Sequence, residues 1–278
     1  MRAQVYKIHS DFYYVKNLEH SEFVCKLRDV LKKQKIDIRV GDFVELSEDN
    51  NFIISLLDRK NCLDRPKVSN IDLVLIVCAL KEPELDLMQL NRYLTYLKYY
   101  NVDCAICFNK EDLVENDTLH EINLYLEYYR KIGYTVVSNT DLDKIKELIN
   151  NKTSVFTGQT GAGKSSLLNK LNKDWNLETG EISLALGRGK HTTRVVELFD
   201  FLDGKVMDTP GFSALDFYDS TKEDIRNAFI EFKDYPCPFS DCSHTNEGEC
   251  LVKENVNCNN ILKSRYENYL SFIKEVRK

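Results

Sequence analysis

The sequence predicts an α/β protein in which a small N-terminal β-barrel precedes a parallel sheet and a cysteine-rich segment follows it. Three observations support this. Short alternating segments run to about residue 62, continuous apolar runs alternate with helical spacing after Pro66, and cysteines cluster near the C-terminus. The 278 residues, 43% of them hydrophobic, are ample for packed cores. We therefore expect three units with boundaries at 1–65, 66–215 and 216–278.

The N-terminal unit contains about five short segments of alternating apolar and polar residues, separated by polar or Gly-Asp turns. Five strands in this length are typical of an OB-type barrel, a fold that often binds RNA. An SH3-like barrel used only for packing is the alternative. Residues 26–39 carry six Lys or Arg against two Asp. This stretch is either an ordinary solvated surface or a basic patch for RNA.

The central unit alternates strands with helices. Residues 71–80 and 102–108 are continuous apolar strands, and residues 85–100 between them have helical spacing. A helix near 115–130, the strand "YTVVS", a helix around 141–150 and the strand "TSVFTG" follow. Strands that are apolar on both faces and alternate with helices indicate a parallel sheet covered on both sides.

The sequence "GQTGAGKSS" has the strand-loop-helix context of a phosphate-binding loop. Its glycines allow backbone N–H groups to surround phosphates, Lys164 can reach the β and γ oxygens, and the Ser165 hydroxyl can coordinate Mg²⁺. The predicted phosphate-binding residues are Gly158, Gln159, Thr160, Gly161, Ala162, Gly163, Lys164, Ser165 and Ser166.

Two further loops fit the same site. "VMDTPGF" follows a short apolar strand and offers Asp208 to the metal's outer shell and the Gly211 N–H to a γ-phosphate. "LGRGKHTTRV" at 186–195 is a glycine-rich, basic loop in the place where a switch would supply a hydroxyl to Mg²⁺. Either Thr192 or Thr193 could serve.

The tetrapeptide Asn109, Lys110, Glu111 and Asp112 ends an apolar strand and is suited to guanine recognition. The Asp112 carboxylate can accept from guanine N1–H and its exocyclic amine, Asn109 can bond the Hoogsteen edge, and the Lys110 stem can cover the base. Adenine would leave the buried acceptor unpaired, which discriminates strongly.

A second loop, with Ser138 and Asn139, could also contact the base or could be an ordinary turn. The predicted base loops precede the phosphate loop in the chain. Loops at the carboxyl ends of parallel strands open on one side of the sheet, so chain order can be permuted while the site is kept. The sequence therefore predicts a circularly permuted P-loop nucleotide-binding domain.

Of the nine cysteines, Cys25, Cys62 and Cys78 are scattered along the chain, and the other six form two groups. Cys104 and Cys107 are three apart on a strand, point to opposite faces and are predicted to be core thiols. Cys237, Cys242, His244 and Cys250 lie in polar, loop-like sequence and suit a closed structural Zn²⁺ site. A four-cysteine set that uses Cys258 instead of His244 is the alternative. A final helix is predicted from its apolar stripe of Ile261, Leu262, Tyr266, Tyr269, Leu270, Ile273 and Val276.

The composition bears on location and partners. The net charge of −6 argues against a general nucleic-acid coat protein and leaves room for local basic patches. The N-terminus does not resemble an export signal, and no apolar run approaches the roughly 18 residues of a membrane span. We expect a cytoplasmic protein without a membrane or DNA partner.

The motifs, taken in order, resemble the RsgA (YjeQ) family of ribosome small-subunit-dependent GTPases. "VGDFVEL", "FNKEDL", "GQTGAGKSSLLN", "GRGKHTTRV", "DTPGF" and "CPFSDCSH" look like that family's stretches in that family's order. The resemblance implies a cytoplasmic GTPase that uses GTP, GDP and Mg²⁺, carries one zinc ion and binds the small ribosomal subunit and its rRNA. It implies a role in late subunit maturation, with GTP hydrolysis slow alone and faster on the ribosome, and we expect a monomer.

The family lacks a water-orienting Gln after its metal loop, and here Phe212 occupies that position. An apolar side chain cannot orient water, so His191 is the candidate catalytic group. The alternative is that His191 only contacts rRNA. A GTP-binding scaffold without hydrolysis and a small-molecule kinase are the other functions that the phosphate loop alone would allow.

Overall fold

The computed structural model describes residues 1–175, 196–208 and 215–277, without the side chains of Asp174 and Asp208. Its N-terminal barrel has five strands: β1 (Arg2–His9), β2 (Phe12–Asn17), β3 (Glu22–Leu27), β4 (Phe43–Leu46) and β5 (Phe52–Leu56). Their order is β1-β2-β3-β5-β4, and β4 pairs back with β1 to close the barrel. Only the β3–β5 pair is parallel. The short helix α1 (Asp29–Lys33) connects β3 to β4.

This strand order, with a parallel pair and a helix between β3 and β4, is that of an OB-like barrel, as predicted. Alternate residues of the strands fill its interior, among them Val5, Val15, Cys25, Val44 and Ile53, each at most 1% exposed. A two-stranded hairpin, β6 (Cys62–Asp64) and β7 (Lys67–Ser69), connects the barrel to the central unit.

The central unit is built from β8 (Leu73–Ala79), α2 (Leu87–Tyr99), β9 (Cys104–Asn109), α3 (Asn116–Lys131), β10 (Thr135–Ser138), α4 (Leu142–Ile149), β11 (Thr153–Thr157), α5 (Lys164–Leu171), β12 (Glu197–Phe201) and β13 (Gly204–Asp208). The strand order is β10-β9-β8-β11-β13-β12, and all pairs except β12–β13 are parallel. All seven residues of β8 are buried, because helices cover both faces of the sheet.

Cys104 and Cys107 illustrate this two-sided burial. Cys104 packs against the apolar cluster that contains Ile76, and Cys107 belongs to the cluster that contains Val77. Since neighbouring residues of β8 face opposite sides, the two thiols lie on opposite faces of the sheet. Burial raises the pKa of both thiols to about 12. Their surroundings match the predicted role as core thiols.

The sheet of the central unit continues into the barrel, a connection that no local sequence pattern predicted. Strand β12 pairs with β1, where Lys7 lies opposite Glu197. The Lys7 ammonium binds the Glu197 carboxylate at 2.8 Å, and the Tyr6 hydroxyl donates to Asp200 at 2.6 Å. The two units thus share one eleven-stranded sheet.

The C-terminal unit consists of α6 (Lys222–Ala228), a 3₁₀ turn at Ile230–Asp234, α7 (Leu251–Asn257) and α8 (Lys263–Glu275). Helix α8 packs on α2 of the central unit. The Asn268 amide donates to the Leu87 carbonyl at 3.3 Å, and Arg92 binds Glu275 through two hydrogen bonds of 2.6 Å. Among the described residues, no helix is long and apolar enough to cross a membrane.

Helix α8 differs from its predicted apolar stripe. It also buries Asn268 and Phe272, and Arg265 is completely buried. The Arg265 guanidinium makes two hydrogen bonds to the carboxylate of Glu231, and its Nη1 donates to Asn91 of α2 at 2.8 Å. The buried face of α8 therefore includes an arginine. Its burial is tolerated because the Glu231 carboxylate neutralises its charge.

Candidate nucleotide and zinc sites

The phosphate loop lies between β11 and α5, at the carboxyl end of the parallel strands. Gly158, Gly161 and Gly163 all have positive φ angles, between 81° and 143°. A Cβ at Gly158 would lie 2.0 Å from the Val77 carbonyl oxygen, so no larger residue fits there. The Lys164 ammonium donates to the carbonyl oxygens of Gly158 and Gln159, each at 2.8 Å. The phosphate loop is thus curled, and the Lys164 ammonium bonds to two carbonyl oxygens of the loop itself.

The predicted base loop is in direct contact with the phosphate loop. Asn109, only 7% exposed, donates from Nδ2 to the Ala162 carbonyl at 2.7 Å. Its Oδ1 accepts from the Lys110 N–H at 2.9 Å. A Cβ at Gly163 would lie 2.1 Å from the Asn109 amide nitrogen. Asn109 therefore holds the two loops together, a structural role that the motif alone did not indicate.

The rest of the base loop is more open. Lys110 adopts a left-handed conformation, with φ of 63°, and its ammonium donates to the Glu82 carbonyl. Glu111 and Asp112 follow in a short 3₁₀ turn and are exposed. The Asp112 carboxylate is therefore accessible to a ligand beside a buried, fixed Asn109.

The second predicted base loop follows β10, the strand next to β9. Asn139 is buried, and its N–H donates to the Phe108 carbonyl at 2.8 Å. Ser138 is half-buried and shares a hydrogen bond of 2.9 Å with Thr140. Residues 138–140 thus lie beside Asn109 at the same edge of the sheet.

The structure describes the backbone of one predicted metal residue, Asp208. It is the last residue of β13, the strand parallel to β11. This places its backbone at the same end of the sheet as the phosphate loop. His191, Thr192, Thr193, Gly211 and Phe212 lie outside the described residues. So does the basic stretch Arg188–Arg194.

The cysteine cluster has the geometry of a tetrahedral metal site. Cys237, Cys242, His244 and Cys250 present ligand atoms that all lie within 4.8 Å of one another. The His244 Nδ1 is 3.4 Å from each of the three sulfurs, and the Cys237 and Cys250 sulfurs are 3.8 Å apart. A tetrahedron with Zn–S bonds of about 2.3 Å has S···S edges of about 3.8 Å. The four residues therefore fit Zn²⁺, and exposed Cys258 is not part of the set.

The loop around this cluster is held by its own polar groups. The Glu247 carboxylate accepts from the N–H groups of Ser243 and Thr245 at 2.7 and 2.8 Å. Burial acts to raise the pKa of Glu247, but a hydrogen bond from the Ser243 hydroxyl at 2.7 Å, together with the N–H groups, outweighs it and lowers the pKa to about 2. The hydroxyls of Tyr266 and Tyr269 on α8 donate to the His244 and Ser243 carbonyls at 2.7 and 2.5 Å. The site is thereby fixed to α8.

The basic stretch of residues 26–39 divides in the structure. Lys32, Lys33 and Lys35 are exposed on and after α1. Arg39 is only 8% exposed and binds Asp64 at 2.7 Å and the Leu63 carbonyl at 2.8 Å. Arg39 is therefore a structural residue that binds the β6–β7 hairpin, and the accessible basic surface is shorter than the sequence suggested.

The comparisons with known proteins agree with this architecture. The RsgA GTPase family model matches residues 56–218, and the RsgA N-terminal domain model matches residues 3–52. The chain is 40% identical to the small ribosomal subunit biogenesis GTPase RsgA of Latilactobacillus sakei, over 99% of this chain and 96% of that protein. It is 42% identical to the small ribosomal subunit biogenesis GTPase RsgA 2 of Oceanobacillus iheyensis, over 99% and 97%.

Two solved structures are similar over nearly the whole chain. YjeQ from Thermotoga maritima superposes with a TM-score of 0.82 at 34% identity, covering 99% of this chain and 97% of that one. YloQ, described as a circularly permuted GTPase, superposes with a TM-score of 0.79 at 33% identity, covering 99% and 94%. These matches confirm the permuted order of loops predicted from the sequence, and they show that the chain belongs to the RsgA family of GTPases.

Proposed function

We propose that this protein hydrolyses GTP while bound to the small ribosomal subunit and assists the late maturation of that subunit. The observation that carries the proposal is full-length identity of about 40% to relatives named small ribosomal subunit biogenesis GTPases. Hydrolysis is slow for the free protein and faster on the subunit. The protein acts as a cytoplasmic monomer.

In the nucleotide site, Asp112 accepts from the guanine N1–H and amine, and the Lys110 stem covers the base. Asn109 fixes the base loop against the phosphate loop and bonds the Hoogsteen edge of guanine. Ser138 and Asn139 border the base from the next loop. Glu111 lies in the same turn as Asp112. This arrangement is supported by the buried contact between Asn109 and Ala162.

Residues 158–166 hold the phosphates through backbone N–H groups. Lys164 would exchange its bonds to the loop carbonyls for β and γ oxygens. Ser165, at the start of α5, and a hydroxyl of Thr192 or Thr193 would hold Mg²⁺, with Asp208 in its outer shell. Bound Mg²⁺ supplies positive charge that neutralises the phosphates. Gly211 would donate its N–H to the γ-phosphate.

His191 is the proposed group that orients or deprotonates the attacking water, because Phe212 stands where a Gln would do so. A His191→Ala variant should lose subunit-stimulated turnover by about a hundredfold, the lower end of a general-base contribution. Turnover within about threefold of wild type would show that His191 only contacts rRNA.

The three units divide the work at the boundaries 1–65, 66–215 and 216–278. The barrel binds rRNA, the central unit binds and hydrolyses GTP, and the C-terminal unit carries the structural zinc ion. Lys32, Lys33 and Lys35 supply exposed positive charge on the barrel, which supports the rRNA contact.

Sedimentation with purified small subunits tests the proposal. The protein should co-sediment with subunits in a non-hydrolysable GTP analogue and separate from them in GDP. Replacing Lys32, Lys33 and Lys35 by Glu should weaken this association and leave GTP affinity unchanged. Failure of the wild-type protein to co-sediment in either nucleotide would contradict the proposed function.

A further inference from the structure

The outer face of the barrel carries a set of exposed apolar side chains on three neighbouring strands. Phe12 and Tyr14 of β2 are 41% and 38% exposed, Val24 of β3 is 53% exposed, and Phe52 of β5 is 41% exposed. Lys26 of β3 is exposed among them. We call these five residues the aromatic patch. Exposed apolar side chains grouped on one surface are a mark of interaction sites.

The strand register places the patch in two rows. Lys26 lies opposite Phe52 across the β3–β5 pair, and its ammonium is 5.1 Å from the centroid of the Phe12 ring. Phe12, Lys26 and Phe52 therefore form one row across three strands, with a cation between two rings. Tyr14 lies opposite Val24 and forms the second row.

The chain beside the patch is positively charged. From Glu22 to Lys35 it carries five cations against two carboxylates. None of these cations forms an ion pair within the described part of the chain: Lys26, Arg28, Lys32, Lys33 and Lys35. Helix α1, with its two lysines, begins directly after β3. Aromatic rings and cations without ion-pair partners therefore lie on the same surface. Such a surface is complementary to a ligand that carries both negative charge and planar groups.

We propose that the aromatic patch stacks unpaired bases of single-stranded rRNA while the neighbouring cations bind its phosphates. This rests on the proposed binding to the small subunit and specifies which part of the rRNA the barrel contacts. Barrels of this type bind oligonucleotides on the face of strands 2 and 3. Phe12 and Phe52 are separated by one intervening strand, about 10 Å in all, so each ring takes its own base. Stacking tolerates any base, because every base has a π face.

Titration of the full chain with fluorescently labelled single-stranded RNA tests the patch. Replacing Phe12 and Phe52 by Leu keeps the apolar surface but removes the rings. The double variant should bind single-stranded RNA more weakly by about tenfold for each ring. Binding to a duplex of the same sequence should not change. Phe52→Trp should keep or strengthen binding, because a larger ring replaces the first.

Leu18→Ala is the matched control, since Leu18 is exposed on the same barrel but lies outside the patch. Both Phe residues are two-fifths exposed, so the variants should keep the thermal unfolding temperature of the wild type. Single-stranded RNA binding within about twofold of wild type in the double Leu variant would overturn the proposal.

A protein partner is the alternative occupant, and the same variants separate it. If subunit binding survived Phe→Leu but was lost on Phe→Ala at both positions, an apolar protein contact would replace RNA stacking and the proposal would be wrong. Normal subunit binding by both variants would also refute the patch but leave the proposed function intact. Failure of the wild-type protein to bind the subunit would instead refute the proposed function itself.

Discussion

At the scale of single residues, Asn109 shows why the base motif cannot be understood as a list of ligands. Its amide holds the Ala162 carbonyl, and Gly163 leaves room for that amide. The motif spacing predicted that Asn109 and Asp112 act together at one site. It could not predict the contact with Ala162, because the two residues are 53 positions apart in the chain.

Asp112→Asn tests the assignment of guanine recognition. The change replaces an acceptor of two N–H groups by one donor and one acceptor, so GTP affinity should fall about a hundredfold or more. Xanthosine triphosphate should gain affinity, because the xanthine O2 can accept from the new amide. Calorimetric titration with both nucleotides measures the exchange. Asp117→Asn, an exposed site in the first turn of α3, is the control, and unchanged GTP affinity in Asp112→Asn would refute the role.

At the scale of elements, helix α8 contacts the central unit through Arg265, which is held by a buried ion pair inside the C-terminal unit. Arg265 is fully buried and Glu231 is 2% exposed, and Arg265 also reaches Asn91 on α2. Burial acts to lower the pKa of Arg265, but Glu231 raises it above its ordinary value. The apolar periodicity predicted the helix, but Arg265 was not part of the predicted stripe. Its partners are 34 and 174 positions away, so no local pattern could place it.

Arg265→Leu should lower the free energy of unfolding by about 3–5 kcal/mol, because it leaves the Glu231 carboxylate buried and unpaired. Urea unfolding of the zinc-loaded protein measures this loss. A double variant that also carries Glu231→Leu should regain part of the stability, since the isolated charge is then absent. Lys263→Ala on the same helix breaks only an exposed pair and should cost no more than about 0.5 kcal/mol. A loss in Arg265→Leu as small as that of the control would contradict the interpretation.

The zinc cluster is the element that sequence spacing predicted best. Four ligands within fourteen residues are a local pattern, and the structure selects His244 and excludes Cys258. Purified protein should contain about one zinc ion per chain and keep it in Cys258→Ser, whereas Cys250→Ser should lose it and unfold the segment. Metal analysis of the two variants distinguishes the ligand set that contains His244 from the four-cysteine set that contains Cys258. Zinc loss in Cys258→Ser with retention in His244→Ala would show that the four-cysteine set is correct.

At the scale of the whole molecule, two junctions connect the three units. One is the β1–β12 pairing, which joins the barrel to the strand that follows residues 186–195. The other is Arg92, which donates to the Leu215 carbonyl at 3.2 Å and binds Glu275 of α8. The sequence predicted each unit separately. Both junctions depend on residues more than a hundred positions apart, which sequence periodicity does not detect.

The first junction should depend on pH through Asp200. Burial acts to raise the pKa of this carboxyl, but hydrogen bonds from Tyr6 and Lys16 outweigh it and keep the pKa below its ordinary value of 3.8. Its stabilising contribution is therefore present above that value and is lost as pH falls through the lower pKa of the folded state. Asp200→Asn should be less stable than wild type at neutral pH, and the difference should shrink in strong acid.

Urea unfolding at several pH values measures this dependence. Asp203→Asn is the control, because Asp203 lies in the adjoining turn and forms no ion pair among the described residues. A stability difference between Asp200→Asn and wild type that stayed constant from neutral pH to strong acid would show that the carboxylate does not stabilise the junction.

The proposed function requires that the small subunit accelerates GTP hydrolysis, which is slow in the free protein. The most direct measurement is GTP turnover by the purified protein with and without purified small subunits, at equal GTP and Mg²⁺. We expect turnover to rise by at least about tenfold when subunits are added. A variant in which Lys32, Lys33 and Lys35 are all replaced by Glu should show a smaller rise. A rate that is the same with and without subunits would contradict the proposed activation of this GTPase by the small subunit.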